Sequence, residues 1–208
     1  MSVLASDDFN RANANPIGGN WTTAPNHNAM QLLSNTCQPS SLAVDCGAYY
    51  SGITWPADQY AQIKVTVNST GTGVGIGLFC RQDTGGANTC YRLVVSHAAA
   101  NNIELGKFVA GAFTGIWTRT QAFTDGDTLR LEVQGTTLRA YLNGAQIGAD
   151  TTDSSIASGA TGIAYSSLTS ATTLADDFEG GDLVSGPPEV GIPQGVLRKV
   201  PRARRIRR

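Results

Sequence analysis

Helix-forming pattern is nearly absent from this chain of 208 residues. No segment repeats apolar side chains at helical spacing over three turns, which argues against helical folds. Charge is scarce as well: Asp, Glu, Lys and Arg make up 15% of the sequence, against about a quarter in an average domain. Only four glutamates occur, Glu104, Glu132, Glu179 and Glu189. No apolar run reaches the length of a membrane span. The opening Met1-Ser2-Val3-Leu4-Ala5-Ser6-Asp7 lacks the basic and apolar regions of a signal peptide. Histidine is limited to His27 and His97, and none of the four cysteines stands in a C-x₂-C couple. Both features argue against a structural zinc site. Neither histidine lies near a Gly-x-Ser-x-Gly elbow or a catalytic cysteine, so no nucleophile triad is visible.

What is present is strand and turn material: 41% hydrophobic residues and 24 glycines, with abundant Thr and Val. In Gln59–Val67, Ala61, Ile63, Val65 and Val67 share one face, with Gln62, Lys64 and Thr66 on the other. Leu129, Leu131 and Val133 oppose Arg130 and Glu132, and Leu138, Ala140 and Leu142 oppose Arg139 and Tyr141. Period two with one polar face is the mark of antiparallel sheet. Asp125-Gly126, Gln134-Gly135 and Asn143-Gly144 separate the runs, and Asn-Gly suits the positive φ angles of a type I′ hairpin. About a dozen strands so spaced predict an all-β, antiparallel jelly-roll β-sandwich.

The cysteines form two couples, Cys37 with Cys46 and Cys80 with Cys90. Disulfides 37–46 and 80–90 are the simplest expectation, although four cysteines permit three connectivities. In the hairpin 73–96, a three-residue loop Thr84–Gly86 places Cys80 opposite Cys90, within disulfide reach. Disulfides without a leader suit a chain made in a cytosol and released by lysis, as virion proteins are. The triplet Asp-Asp-Phe occurs at 7–9 and again at 176–178. These segments read as the first and last strands, adjacent, with Phe9 and Phe178 facing the core.

Composition changes after Gly181. Residues 1–181 carry 8 basic against 14 acidic residues, and 182–208 carry 7 against 2. The prolines at 187, 188, 193 and 201 deny this stretch a helix or a central strand. The chain therefore divides into a folded domain, 1–181, and a Pro-containing basic tail, 182–208, an extended C-terminal arm that orders against a partner.

The motifs Ser6-Asp7-Asp8-Phe9-Asn10-Arg11 and Gly18-Gly19-Asn20-Trp21-Thr22 stand near the start. Tyr91-Arg92-Leu93-Val94-Val95, Leu129–Val133, Leu138–Gly144, Gly159–Tyr165 and Ala175-Asp176-Asp177-Phe178 follow. Over residues 5–180 this set resembles the concanavalin A-like lectin/glucanase superfamily, in its laminin-G-like branch. Domains of that branch occur in phage and bacterial surface proteins. The resemblance implies the jelly-roll fold, a core position for Trp21 and, as in many relatives, a structural calcium. It implies function poorly, because the superfamily holds lectins, glycosidases and structural proteins alike.

Four kinds of site follow. Asp7, Asp8, Asp176 and Asp177 supply hard oxygen ligands for calcium if the terminal strands pair. Glycan binding would use the aromatic platforms Trp55, Trp117, Tyr49 and Tyr50, with Asp83, Asn88 and Asn101 in nearby loops. The glycines opposite Val74, Ile76 and Leu78 offer a face open to a ligand or to a neighbouring side chain. Glycoside hydrolysis needs two carboxyls across a cleft. The Glu-x-Asp-x-x-Glu motif of the glucanases is missing, and Glu104 and Glu132 are each alone in their segments. Arg198, Lys199, Arg202, Arg204, Arg205, Arg207 and Arg208 suit an anchor in an acidic groove of another subunit, with Val190, Ile192, Val196, Leu197 and Ile206 as apolar pegs. Nucleic acid is the weaker partner for this tail, since no aromatics interleave and the body is acidic. A membrane surface is weaker still, for want of an apolar helix face.

The expectation is a non-catalytic virion structural protein, a capsid decoration or tail-associated module of a bacteriophage, made in the host cytoplasm and displayed on the virion surface. Residues 186–208 attach it to the assembly, and the body binds a cell-surface glycan if a glycan site is real. A soluble or secreted, extracellular lectin-like module is the alternative, and a glycoside hydrolase the second.

Overall fold

A computed structural model describes residues 1–42, 44–67, 74–96, 102–166 and 173–183. Its strands are β1 (Ser2–Asp7), β2 (Trp21–Thr23), β3 (Met30–Leu33), β4 (Thr36–Pro39), β5 (Cys46–Tyr50), β6 (Gln59–Val67), β7 (Val74–Gln82) and β8 (Cys90–Ser96). There follow β9 (Asn102–Val109), β10 (Ala112–Thr120), β11 (Thr128–Gln134), β12 (Thr137–Leu142), β13 (Ala145–Gln146), β14 (Thr151–Thr152), β15 (Ala160–Tyr165) and β16 (Thr173–Asp182). One sheet has nine strands in the order β13-β12-β11-β6-β16-β4-β3, with β1 added to β16 and β14 to β12. The other has seven, β10-β9-β8-β7-β15-β5-β2. Named strands pair antiparallel throughout, as the period-two pattern predicts.

The two inner faces make the main core. Ala61, Ile63 and Val65 of β6 and Leu129, Leu131 and Val133 of β11 meet Ile76 and Leu78 of β7 and Tyr91, Leu93 and Val95 of β8. The terminal strands pair as expected, with Asp7 opposite Phe178 and Ser6 opposite Glu179. Phe9 and Phe178 are buried beside Trp21, whose indole meets Phe178 edge-on at 4.8 Å. The Asn143-Gly144 turn joins β12 to β13 with φ of 51° and 77°, the mirror-image geometry this dipeptide tolerates.

The seven-stranded sheet is also buried on parts of its outer face. Phe79, Cys90, Val94, Phe108, Ala160 and Ala164 form a second cluster there, edged by Tyr49. Its glycines are seats for this chain's own aromatic rings. A Cβ on Gly47 would lie 2.5 Å from the Phe79 ring, and one on Gly106 would lie 2.5 Å from that of Phe113. At Gly77 a Cβ would strike the Leu93 carbonyl oxygen at 1.9 Å. At Gly77 the glycine face that the sequence offers to a ligand is therefore closed from within by β8, and Gly73 lies outside the described residues.

The disulfide expectation is corrected: Cys37, Cys46, Cys80 and Cys90 are free and buried. Cys80 stands opposite Tyr91, not Cys90. Arg81, at φ 53°, bulges the strand. The hairpin then closes through Asp83 N–H to Thr89 O at 2.8 Å, which leaves a longer loop than Thr84–Gly86. Cys80 consequently points into the main core and Cys90 into the outer cluster, on opposite faces of one sheet. Cys37 and Cys46 belong to different sheets, and the Cys46 thiol donates to Ser41 O at 3.2 Å. Burial pushes the Cys37 thiol well above its ordinary range and Cys90 up to about 12, so neither forms the nucleophilic thiolate readily. Thiol titration checks this. The denatured, unreduced protein is expected to release four thiols, and dithiothreitol should leave its melting temperature unchanged. Fewer than four would restore a disulfide.

Candidate functional site

An open cleft of about 470 Å³ lies where β5 leaves the seven-stranded sheet, lined by Tyr49, Tyr50, Ser51, Ile53, Thr54, Trp55, Thr84, Ser158, Gly159 and Ala160. The volume falls in the range of small-ligand sites, roughly 300–1,000 Å³. Successive strand residues point to opposite faces. Tyr49 accordingly joins the outer cluster, while the Tyr50 ring stacks on Phe178 at 6.4 Å and meets Trp21 edge-on at 5.5 Å. The Tyr50 hydroxyl accepts from Asn20 Nδ2 at 2.8 Å. Trp55 follows in the loop, its indole N–H donating to Tyr50 O at 2.8 Å. Its ring leans on Gly180, where a Cβ would come within 2.6 Å of it. The two rings meet edge to face at 6.4 Å, half-buried, each with polar atoms fixed and apolar surface facing the cleft.

Two buried polar side chains hold the walls. Arg81, 3% exposed, donates from Nε to Ala57 O (2.9 Å), from Nη1 to Ile156 O (2.6 Å) and from Nη2 to Gly135 O (2.9 Å), with Asp58 at 3.7 Å. Gln59, fully buried, donates from Nε2 to Pro56 O and to Gly159 O, and its Oε1 accepts from Arg81 N at 3.0 Å. Both therefore tie the loop carrying Trp55 to the loop carrying Ser158. Gly159, at φ 148°, lies so close that a Cβ would come within 2.4 Å of the Arg81 carbonyl carbon. The Ser158 loop has a further tether. Asp153 accepts from Lys107 Nζ (2.5 Å), the Tyr91 hydroxyl (2.8 Å) and Ser155 N–H (2.8 Å).

Of the residues proposed from sequence for a glycan, Tyr49, Tyr50 and Trp55 come together in this cleft. Asp83 flanks it and is occupied with its own turn, accepting from Ala87 N–H at 2.8 Å. Asn88 is buried beside Cys90. Trp117 sits on edge strand β10, against the main core and under the Arg119 guanidinium at 5.4 Å. Asn101 lies outside the described residues, as do His97, the apolar pegs and all seven anchor residues from Arg198 to Arg208. Sequence reading missed Ser51, Ile53, Thr54, Thr84 and Ser158, which carry no local signal and meet only through β15. Arg81 did leave one, a charge at the end of the apolar run Ile76–Cys80.

The terminal strands bring Asp7, Asp8 and Asp177 to one depression of about 420 Å³, with Asp176 alongside. Calcium would find most of these oxygens taken. Asp7 accepts from Phe9 N–H (2.9 Å), Arg11 Nη1 (2.5 Å) and Trp21 Nε1 (2.7 Å). Asp177 lies 3.6 Å from Lys64. The Asn10 backbone N–H holds the exposed Asp8 carboxyl below its ordinary value, and burial holds that of Asp176 above it. Among the described residues no three His, Cys, Asp or Glu side chains converge as a metal-binding group. The donor set does not fit calcium unless Asp7 gives up its partners.

The three glutamates among the described residues are likewise engaged, and Glu189 lies outside them. Glu104 pairs with Arg92 at 3.2 Å, Glu132 with Arg130 at 2.8 Å, and Glu179 accepts from the Tyr60 hydroxyl. Among the described residues no carboxylate lines the aromatic cleft, and the carboxyl pair of a glycosidase is not found there. His27 packs edge-on against Phe79 at 5.2 Å, and burial lowers its pKa. It stands outside the cleft, half-buried against the Phe79 and Phe108 rings.

No family model and no curated protein matches this sequence. Solved structures do match its fold. A protein of unknown function with galectin-like fold from Bacillus subtilis is 10% identical, covering 88% of this chain and 96% of that one at a TM-score of 0.63. The carbohydrate binding module CBM66 from Bacillus subtilis is 19% identical, over 77% of this chain and 95% of its own, at 0.55. The CBM2 module of the evolved Dit of Lactobacillus casei BL23 phage J-1 is 12% identical, over 86% and 94%, at 0.58. The fold is thus the lectin-type jelly roll that the sequence resemblance implies.

The tether at Asp153 predicts an acid-sensitive loop. Burial favours the neutral carboxyl there, but the bonds from Lys107, Ser155 and Tyr91 outweigh it and hold the pKa well below the ordinary 3.8. A depressed folded pKa contributes stability above the unfolded value, and that stability is lost as pH falls below it. Stability should therefore decline below about pH 4. Asp153→Asn should be less stable at pH 7 and show a shallower decline in acid, measured by urea denaturation across pH 2–7; an unchanged pH profile would remove Asp153 from that role.

Proposed function

We propose that the sandwich is a non-catalytic carbohydrate-binding module and that its ligand sits in the Trp55–Tyr50 cleft. One observation carries the reading: aromatic rings and hydroxyls converge on a small cleft whose two loops are locked by buried Arg81 and Gln59. Rigid aromatic surfaces cover the apolar face of a sugar ring at little entropic cost, and hydroxyls around them fix its orientation. The fold supports this reading, since two of its structural neighbours are the module CBM66 and the phage Dit module CBM2.

The finer reading places the module on a virion surface, with residues 186–208 as its attachment to capsid or tail subunits. Segregation of charge in the sequence supports it, since seven of fifteen Lys and Arg residues fall in the last eleven positions. The phage Dit module among the neighbours supports it by fold alone.

Isothermal titration of glycans on the full chain tests the cleft. Trp55→Ala should weaken binding at least tenfold, about 1.4 kcal/mol or more. Because Trp55 also packs the core, Ser158→Trp is the second variant; it fills the cleft from an exposed position and should abolish binding without lowering the melting temperature. Binding should be the same in calcium and in EDTA, because no carboxylate lines the cleft. Binding that survives both substitutions would place the sugar elsewhere. Deleting 186–208 should leave the sandwich folded and its glycan affinity unchanged while preventing co-sedimentation with particles; continued incorporation would refute the anchor.

A further inference from the structure

We infer that the cleft selects neutral saccharides and rejects acidic ones, an inference that rests on the carbohydrate-binding reading above. All ten residues lining the cleft are uncharged. The polar groups among them are the hydroxyls of Tyr49, Tyr50, Ser51, Thr54, Thr84 and Ser158, together with backbone; Ser51 already donates to Asn20 O and accepts from Thr22 Oγ1, and Tyr50 accepts from Asn20. The loops that form it also carry two carboxylates and rest on a cation that faces away. Arg81 spends its guanidinium inward on three carbonyls and Asp58. Asp58 also accepts from Gly135 N–H at 2.7 Å, and Asp83 stands next to Thr84 at the rim.

The rest of the body offers an acidic ligand no help. Residues 1–181 hold eight Lys and Arg residues, and all are engaged. Arg11, Lys64, Arg81, Arg92, Lys107, Arg130 and Arg139 each have a carboxylate within 4 Å. Arg119 lies over the Trp117 ring. A uronate, sialate or sugar phosphate entering the cleft would thus lose hydration without gaining a cation, against the field of an acidic domain. A neutral pyranose loses only hydroxyl hydration, which lining hydroxyls such as those of Thr54, Thr84 and Ser158 return, and covers Trp55 and Tyr50 with its C–H face. Aromatic stacking and neutral hydrogen bonds also make the interaction insensitive to salt.

The full chain is titrated with methyl glucoside, methyl galactoside and N-acetylglucosamine, and with glucuronate, N-acetylneuraminate and glucose 6-phosphate. At least one neutral sugar should bind, with an affinity unchanged between low and high NaCl. The acidic sugars should bind more weakly by tenfold or more. Asp83→Asn, which removes a rim carboxylate but keeps an oxygen to accept from Ala87 N–H, should raise the affinity for acidic sugars several-fold and leave that for the neutral one within a factor of two. Acidic sugars that bind as tightly as neutral ones, and lose binding on Ser158→Trp, would overturn the selectivity and leave the carbohydrate site standing. Failure of every sugar to bind would overturn both.

Discussion

A buried guanidinium organises this end of the sandwich. Taking Arg81 out of water costs several kcal/mol unless its N–H groups are met, and Ala57, Ile156 and Gly135 meet them with backbone carbonyls from three separate connections. None of those carbonyls belongs to a ladder position, and that of buried Ile156 would be unsatisfied without the arginine. The clamp is therefore reciprocal: the loops neutralise the cost of the charge, and the charge fixes the loops. Its aim depends on backbone strain at one residue, since φ of 53° at Arg81 turns the side chain across the sheet end. That same bulge shifts the register beyond Cys80 and parts it from Cys90.

The second constraint is that the broad outer face of the seven-stranded sheet is already occupied. Phe79 covers Gly47 and Phe113 covers Gly106, each at a distance no side chain could share. Arg92, 5% exposed, lies over both Phe108 and Phe113 at 5.0 and 4.7 Å and pairs with Glu104. With that face packed from within, concave aromatic surface is left at the sandwich end, where Trp55 touches both clusters. The position of the cleft follows from how the glycines are used.

Much of this was legible in the sequence, for local reasons. Alternation in 59–67 and 128–134 sets which face is buried, and Asn143-Gly144 sets its own turn, so β6, β11 and the β12–β13 hairpin needed no tertiary information. The repeated Asp-Asp-Phe placed β1 against β16, because two identical segments with the same amphipathic pattern suit the same seam. What failed depended on one strained residue. No local rule tells an arginine after Cys80 to adopt a left-handed conformation, and a one-residue change of register moves a cysteine to the other face. The acidic seam failed differently: proximity of Asp7, Asp8 and Asp177 was foreseeable, but not that Trp21 and Arg11 consume Asp7 from within. In the cleft, the aromatic members were found by type. The hydroxyl members were not, because Thr84 and Ser158 are ordinary loop residues until β7 and β15 pair.

The two halves of the proposed function run on different physics. Seven of the folded body's eight cations are paired with its own carboxylates, which remain in surplus, so recognition through the cleft relies on shape, stacking and neutral hydrogen bonds. The chain's remaining cations all lie beyond Gly181, where attachment would be electrostatic and screened within about 10 Å at 0.1 M salt. Such a division keeps the tail from competing for an acidic ligand in the cleft, since the cleft takes none. It also keeps the ligand from displacing the tail. A module that must hold its assembly and sample a surface at once gains from that separation, because neither contact then has to be weakened for the other to form.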